Sequence, residues 1–273
     1  MGKRLAVVTP AAGTDDALSR LVAQAKIDLD RRRHLISEEV FERSVAAYSP
    51  KDFAASLGSQ GLSVIAEMKQ RTPSMGVLAE DYRPADLARS YAAGGAAAIS
   101  VLTHMAGFGG RAEHLGLVRG VTDLPVLRKD FITDAFEIAE ARAAGADAVL
   151  LIAAALERDD LERLVTAAKS RSLGALVEVH DETELHIALD AGATIIGINH
   201  RNLRTFEIDL GLTERIRGQI PGGVLVVAES GIHSAADARR MREAGADAIL
   251  VGEELMRAQD PSARIRELTE WSA

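Results

Sequence analysis

The sequence predicts an α/β protein folded as a (βα)8 (TIM) barrel with an added N-terminal helical segment. Three observations predict it: a helix-stop-strand unit that recurs, four further apolar strands between its copies, and charged residues at the ends of those strands. The unit is a helix closing on Ala-Gly with a short apolar strand directly behind it. Copies run from Tyr91 to Val101, Ala143 to Leu151, Leu189 to Ile198 and Glu243 to Val251, with their glycines at Gly94, Gly145, Gly192 and Gly245. That interval of about 50 residues is twice the roughly 25 to 30 of one strand-helix unit, so each copy marks every second strand. In each copy glycine is expected to supply the left-handed turn that stops the helix.

The elements follow in chain order. Residues 1–14 read as a flexible tail, and 15–273 as a single (βα)8-barrel domain that includes N-terminal helices over about 15–47. Within that helical stretch Leu18, Leu21, Val22, Ala25 and Leu29 share one face, opposite a charged face with Asp28, Asp30 and Arg31 to Arg33. The arginine run reads as a solvated helix face rather than a binding patch. Ser49 through Gly61 form a connector. The intervening strands are Ser63 to Met68, Leu124 to Arg128, Gly174 to Val179 and Gly223 to Ala228, which brings the count to eight. Eight parallel, helix-separated strands close into a barrel more readily than they stack openly, although periodicity alone leaves a doubly wound sheet open.

Composition narrows the function. A formal net charge of −8, with Lys and Arg scattered, argues against nucleic acid as partner. The absence of cysteine removes disulfides, thiolate zinc sites and thiol nucleophiles. No apolar run approaches the roughly 20 residues of a membrane span, and the stretch from Met1 to Pro10 is unlike a signal peptide. No membrane partner and a cytoplasmic location are therefore expected. The seven histidines show neither His-x-His nor His-Glu-x-x-His spacing, so no metal is expected. No dinucleotide fingerprint or Walker loop is present, so no cofactor is expected either.

In a barrel the active site forms at the C-terminal ends of the strands. There the chain places Glu67 and Lys69 on the first strand, Lys129 and Asp130 on the third and Glu178 on the fifth. Asn199 and Arg201 follow on the sixth, Glu229 and Ser230 on the seventh, and Gly252 and Glu253 on the eighth. Any one of these reads equally well as a loop residue or an ion pair, but together they converge on one mouth, where buried charge needs mutual pairing or a ligand. Acid beside lysine in such a cup is expected to shift pKa values toward proton-transfer use. Small residues after the last two strands, at Ser230, Gly231 and Gly252, point to a phosphorylated small-molecule substrate held by backbone N–H groups.

The runs Val64 to Ser74, Leu124 to Asp134, Leu176 to Asp181, Ile196 to Leu203, Glu229 to Ile232 and Leu250 to Glu253 resemble the signature stretches of the indole-3-glycerol phosphate synthase family, and the similarity extends to Trp271. The resemblance implies closure of 1-(2-carboxyphenylamino)-1-deoxyribulose 5-phosphate to indole-3-glycerol phosphate, with loss of carbon dioxide and water, in tryptophan biosynthesis. It implies Lys129 as general acid at the sugar carbonyl, Glu178 as acid/base of the dehydration, and Lys69 as holder of the leaving carboxylate with a later proton-transfer role. Glu67, Asn199 and Glu229 are implied to orient these groups and the sugar hydroxyls. Arg201, Ser230, Gly231, Gly252 and Glu253 are implied around the phosphate or sugar end, Phe108 and Leu150 around the aromatic ring, and Thr72 and Ser74 in the same binding set. Association with other enzymes of the pathway is a further implication.

Two departures stand out. The family's Leu-Thr-Glu and Phe-x-Gly-Ser after the second strand are here Leu102-Thr-His104 and Phe108-Gly-Gly110, and Thr72 replaces a serine before Pro73. Drift in a lid explains them, and so does a paralogue acting on a substituted anthranilate-derived substrate. Another metal-free phosphate-barrel isomerase, or a barrel that binds phosphorylated ligands without turning them over, remain the alternatives. Oligomeric state has no signature in the sequence.

Overall fold

The computed structural model describes residues 17–44, 48–58, 61–72, 75–202 and 205–270. The expected tail, Ser74 and Trp271 lie outside the described residues. Eight strands form a closed parallel barrel in sequence order: β1 (Ser63–Met68), β2 (Ala98–Leu102), β3 (Val126–Lys129), β4 (Ala148–Ile152), β5 (Gly174–Val179), β6 (Ile195–Asn199), β7 (Leu225–Glu229) and β8 (Ala248–Val251). Closure comes from β8 pairing with β1, Ser63 beside Ala248 and Ala66 beside Val251, so the doubly wound alternative is excluded.

Before the barrel come α1 (Ala17–Leu35), α2 (Glu38–Ser44) and α3 (Phe53–Leu57). The outer ring and its loops carry α4 (Pro84–Ala93), α5 (Met105–Phe108), α6 (Glu113–Arg119), α7 (Ala135–Ala143), α8 (Arg158–Ser170) and α9 (Glu182–Asp190). It continues with α10 (Gly211–Ile216), α11 (Ala235–Glu243), α12 (Glu253–Arg257) and α13 (Pro261–Thr269). None of these helices is long and apolar enough to cross a membrane.

Strand side chains alternate between two cores, as the period of two requires. Val64, Ile99, Val149, Val177, Ile196, Val226 and Ile249 point outward to the helices. Ile65, Ala98, Leu127, Leu150, Leu176, Ile195, Val227 and Leu250 fill the barrel axis, above a floor made by Phe53 and Leu57 of α3. Gly174 is small because a Cβ there would stand 3.3 Å from both the Ala148 and the Phe53 Cβ.

Two expectations are revised. The expected N-terminal helices are α1 and α2, parted at Ile36 and Ser37, because Ser37 followed by Glu38 and Glu39 is itself a helix-start signal. In the first repeat copy Gly94 keeps a right-handed φ of −78° and Gly95 takes the left-handed turn at +85°, matching Gly145, Gly192 and Gly245. The solvated-face reading fits Arg31, which is 72% exposed, but not its neighbours. Arg32 pairs with Glu137 at 2.9 Å and Arg33 with Asp134 at 2.6 Å, pinning the end of α1 to α7 and its N-cap.

The repeat also has a chemical side at the strands' N-terminal ends. Asp147 accepts the Val126 N–H at 2.7 Å and the Lys51 N–H at 2.6 Å, as well as the Tyr48 hydroxyl and the Arg119 guanidinium. Arg119 in turn donates to the Gly145 and Leu124 carbonyls. One half-barrel later Asp247 accepts the Val226 N–H at 2.8 Å, and Arg217 donates to the Gly245 and Ile220 carbonyls. These groups brace strand entries and stand at the end opposite the charged mouth. Asp147→Ala leaves Arg119 without its carboxylate, so it should lower the unfolding free energy by about 3–5 kcal/mol. Urea unfolding followed by circular dichroism measures this, with turnover per folded molecule expected to stay at the wild-type value.

Candidate active site

The alternation that fills the barrel axis with Ile65, Leu127, Leu176 and Val227 continues two residues further along each strand to Glu67, Lys129, Glu178 and Glu229. The last inward position of each of these four strands is therefore ionisable, and the four side chains meet above the aliphatic plug. Asn199 ends β6 in the same way, in register with Glu229. Two glycines make the crowding feasible. A Cβ at Gly197 would collide with the Glu229 carboxylate, and one at Gly252 would lie 2.5 Å from Glu67 Oε1 and 3.0 Å from Lys69 Nζ.

Lys129 Nζ donates to Glu178 Oε2 at 3.0 Å and stands 3.6 Å from Glu229 Oε2. Lys69 Nζ donates to Glu67 Oε1 at 2.6 Å. Asn199 hydrogen-bonds Glu178 through its side chain and accepts the Arg201 N–H at 3.0 Å, which fixes the orientation of its amide. Glu229 hydrogen-bonds Glu178, while its Oε1 is buried with no partner among the described residues.

Burial opposes the charge on Lys129, but Glu178, Glu229 and Glu67 outweigh it and raise the lysine pKa well above its ordinary value. Burial would likewise raise Glu178, yet Lys129, His180 and Asn199 together hold it well below the usual carboxylate range. Glu229 moves the other way, pushed up to about 8 by burial and by the charges of Glu178 and Glu67 against the pull of Lys129. The expected drift toward proton-transfer pKa values thus appears at Glu229 and is reversed in the Lys129–Glu178 pair. In that pair each charge stabilises the other.

The predicted binding residues Thr72, Phe108, Leu150, Arg201, Ser230, Gly231, Gly252 and Glu253 line the same cleft as the ionisable set. Ser230 and Gly231 are successive left-handed residues, φ 65° and 77°, and a Cβ at 231 would run into Ile208. Gly252 directly precedes the N-terminus of α12. One wall is aromatic: Phe108 and Phe131 have ring centroids 6.4 Å apart. Leu18 and Leu21 of α1 also line the cleft.

His104 does not reach the cup. It is 5% exposed, packs edge-on behind Phe131 with centroids 5.0 Å apart, and lines a neighbouring crevice together with Gly110. Gly110 is a packing requirement, because a Cβ there would meet the backbone of Leu102 and Thr103.

Sequence reasoning missed Phe131, Leu18, Leu21 and His180. Phe131 directly follows Lys129 and Asp130, so a search of strand ends for aromatic as well as charged residues would have found it. His180 is placed by a capping box on α9, in which Asp181 accepts the Glu184 N–H at 2.8 Å and Glu184 Oε2 reaches back to the His180 N–H at 2.7 Å. The same device recurs on α7 through Asp134 and Glu137, and on α11 through Ser234 and Asp237.

A family model described as indole-3-glycerol phosphate synthase matches residues 18–268. The chain is 54% identical to indole-3-glycerol phosphate synthase 2 of Streptomyces coelicolor over 92% of its length and 98% of that protein's. It is 46% identical to the indole-3-glycerol phosphate synthase of a Roseiflexus species, over 93% of this chain and 98% of that one. Among solved structures, a thiamine phosphate pyrophosphorylase from Pyrococcus furiosus superposes with a TM-score of 0.59 at 23% identity, covering 76% of this chain and 93% of that one. A 3-hexulose-6-phosphate synthase gives 0.58 at 18%, over 76% and 98%. These two share the barrel.

Glu229 makes stability depend on pH. Its folded pKa of about 8 lies above the ordinary 4.5, so the stability its proton contributes is full below about 4.5 and is lost as pH rises through 8. Glu229→Gln keeps a neutral group there. Its unfolding free energy should gain on that of the wild type between pH 5 and 8, by up to about 1.4 kcal/mol per pH unit. Parallel urea titrations across that range test this, and a constant difference between the two proteins would contradict it.

Proposed function

The chain belongs to the indole-3-glycerol phosphate synthase family of decarboxylating carbon–carbon lyases in tryptophan biosynthesis, and we propose the following division of labour in its cup. The substrate is the phosphorylated 1-(2-carboxyphenylamino)-1-deoxyribulose 5-phosphate. The observation that carries the reading is the Lys129 ammonium, held at the centre of the mouth 3.0 Å from Glu178 and 3.6 Å from Glu229.

An aromatic carbon is a weak nucleophile, so the ketone oxygen must gain a proton as the carbon–carbon bond forms. Lys129 supplies it. The resting ammonium is a poor acid, but the oxygen becomes strongly basic only in the transition state, where a preorganised donor is most effective. The ring carbon that bears the carboxylate attacks the ketone carbon. The bond to the carboxylate then breaks, its electron pair restores the aromatic ring, and carbon dioxide leaves from beside Lys69. The new hydroxyl departs as water with a proton from Lys69, while Glu178 removes the proton from the neighbouring carbon and the indole double bond forms. Glu178 lies 3.0 Å from Lys129 and returns its proton there. Solvent resupplies Lys69, which accounts for the one proton consumed when a carboxylate leaves as carbon dioxide.

Glu67 keeps Lys69 in place, Asn199 keeps Glu178 in place, and the unpartnered Glu229 Oε1 is free for a sugar hydroxyl. Arg201, Ser230 and the backbone of Gly231, Gly252 and Glu253 receive the phosphate end, and Phe108, Phe131 and Leu150 flank the aromatic ring. Thr72, in the short antiparallel pair of Arg71–Thr72 with Gly76–Val77, borders the same substrate. Because His104 stands behind Phe131, the observation that motivated a substituted substrate has no direct contact with the ring. Residues 15–273 act as one catalytic unit in the cytoplasm, and a complex with other pathway enzymes remains part of the proposal.

Lys129→Ala should reduce indole-3-glycerol phosphate formation, followed by indole fluorescence, by about a hundredfold or more while the protein stays folded. Turnover within tenfold of wild type would remove Lys129 from its role. Glu178→Gln keeps shape and hydrogen bonding but takes up no proton. It should slow dehydration by about 10²–10⁴-fold and let a decarboxylated, still hydroxylated intermediate accumulate in single-turnover mass spectrometry. Recovery of unreacted substrate alone would move Glu178 to ring closure.

A further inference from the structure

Glu178 and Glu229 are hydrogen-bonded neighbours on β5 and β7, buried to 2% exposure each, and two carboxyls so placed hold one proton between them. Lys129 reaches both, at 3.0 and 3.6 Å, and so distinguishes them only weakly. The cup needs them to differ, since one is to act as a base.

His180 supplies the difference. Its Nε2 lies 3.3 Å from Glu178 Oε1 and its Nδ1 lies 3.0 Å from Glu184 Oε2. Nδ1 is within hydrogen-bond reach of Glu184, and Nε2 meets Glu178 at ion-pair distance without hydrogen-bond geometry, so both carboxylates favour the cationic ring. Glu184 is no mobile partner, because its carboxylate accepts the His180 N–H at 2.7 Å and its own N–H donates to the Asp181 carboxylate at 2.8 Å. We propose that His180 is a positioning residue for the reaction: clamped between Glu178 and Glu184, it assigns the negative charge of the Glu178–Glu229 pair to Glu178 and leaves the pair's proton on Glu229. The inference rests on the reading of Glu178 as the base.

The surrounding charges agree. Burial pulls the imidazole down, but its contacts with Glu178 and Glu184 outweigh this and raise it to about 10, so it stays cationic across the working pH range. Facing Glu178 are Lys129 from β3, His180 just beyond β5 and Asn199 from β6, whereas Glu229 meets Lys129 and the repelling charges of Glu178 and Glu67. A neutral residue at 180 would remove the cation that marks Glu178 and bring the two carboxyls closer to equivalence.

The test compares pH profiles of kcat and kcat/KM for wild type, His180→Asn, Glu184→Gln, Glu178→Gln and the His180→Asn/Glu178→Gln double variant, each checked for folding by thermal melting. His180→Asn should move the acid limb of kcat/KM up by about one pH unit, a tenfold extra loss at the acid end compared with the alkaline end. Glu184→Gln should shift the limb in the same direction by less, and it carries the comparison if His180→Asn does not fold. The double variant should lie within about twofold of Glu178→Gln, since His180 acts only through Glu178. An unmoved acid limb in both His180→Asn and Glu184→Gln, or a further loss in the double variant, overturns the role of His180 while a hundredfold defect in Glu178→Gln leaves the base assignment standing. A Glu178→Gln variant within tenfold of wild type overturns the base assignment instead.

Discussion

Three carboxyls, Glu67, Glu178 and Glu229, are buried at one end of the barrel, and their burial is tolerable because the Lys129 ammonium sits among them. Isolated charges in such a place would be costly by several kcal/mol each, and pairing offsets the loss only where geometry is good. That requirement explains the smaller features around it. Gly197 and Gly252 make room for carboxylates, Asn199 helps hold Glu178 ionised, and Lys69 pairs with Glu67. Among the described residues Glu229 Oε1 is one of several buried polar atoms without a partner, and it stands at the mouth of the barrel.

Much of this arrangement is legible in the amino-acid sequence. A period of two inside a repeat of about 50 residues says which side chains face the axis, and the last axial position of each strand is where the chemistry lies. Glu67, Lys129, Glu178, Asn199 and Glu229 follow from that rule alone. Contacts that depend on where two distant elements meet are not legible there. Arg32 finds Glu137, and His104 turns away behind Phe131, for reasons of tertiary packing that no local pattern encodes. The register slip from Gly94 to Gly95 has a simpler cause, since two adjacent glycines leave the turn position ambiguous in the sequence.

The two ends of the barrel do different physical work. At the strand entries, Asp147 with Arg119 and Asp247 with Arg217 satisfy backbone groups of the neighbouring segments, and Asp147 and Arg119 also pair with each other. At the mouth, by contrast, ionisable groups crowd together and one carboxylate oxygen of Glu229 has no partner among the described residues. The capping boxes on α7, α9 and α11 stand between these regimes, because each closes a helix N-terminus and fixes the residue just before it. On α9 that residue is His180, so a device for helix stability also places a side chain against Glu178.

The docking of α1 sets an order on how the molecule is made. Leu18 and Leu21 of this helix form part of the cleft wall, yet the carboxylate that anchors it through Arg32 lies 105 residues further along the chain. As the polypeptide leaves the ribosome, the first helix emerges long before α7 exists to receive it. Its apolar stripe of Val22, Ala25 and Leu29 is buried in the finished fold, where α1 packs on α5 and on the turn at Ala153–Ala155 after the fourth strand, so it too waits for later segments. The wall of the cup is thus synthesised early and installed late, and a nascent chain holding only the first two strands has no completed substrate pocket.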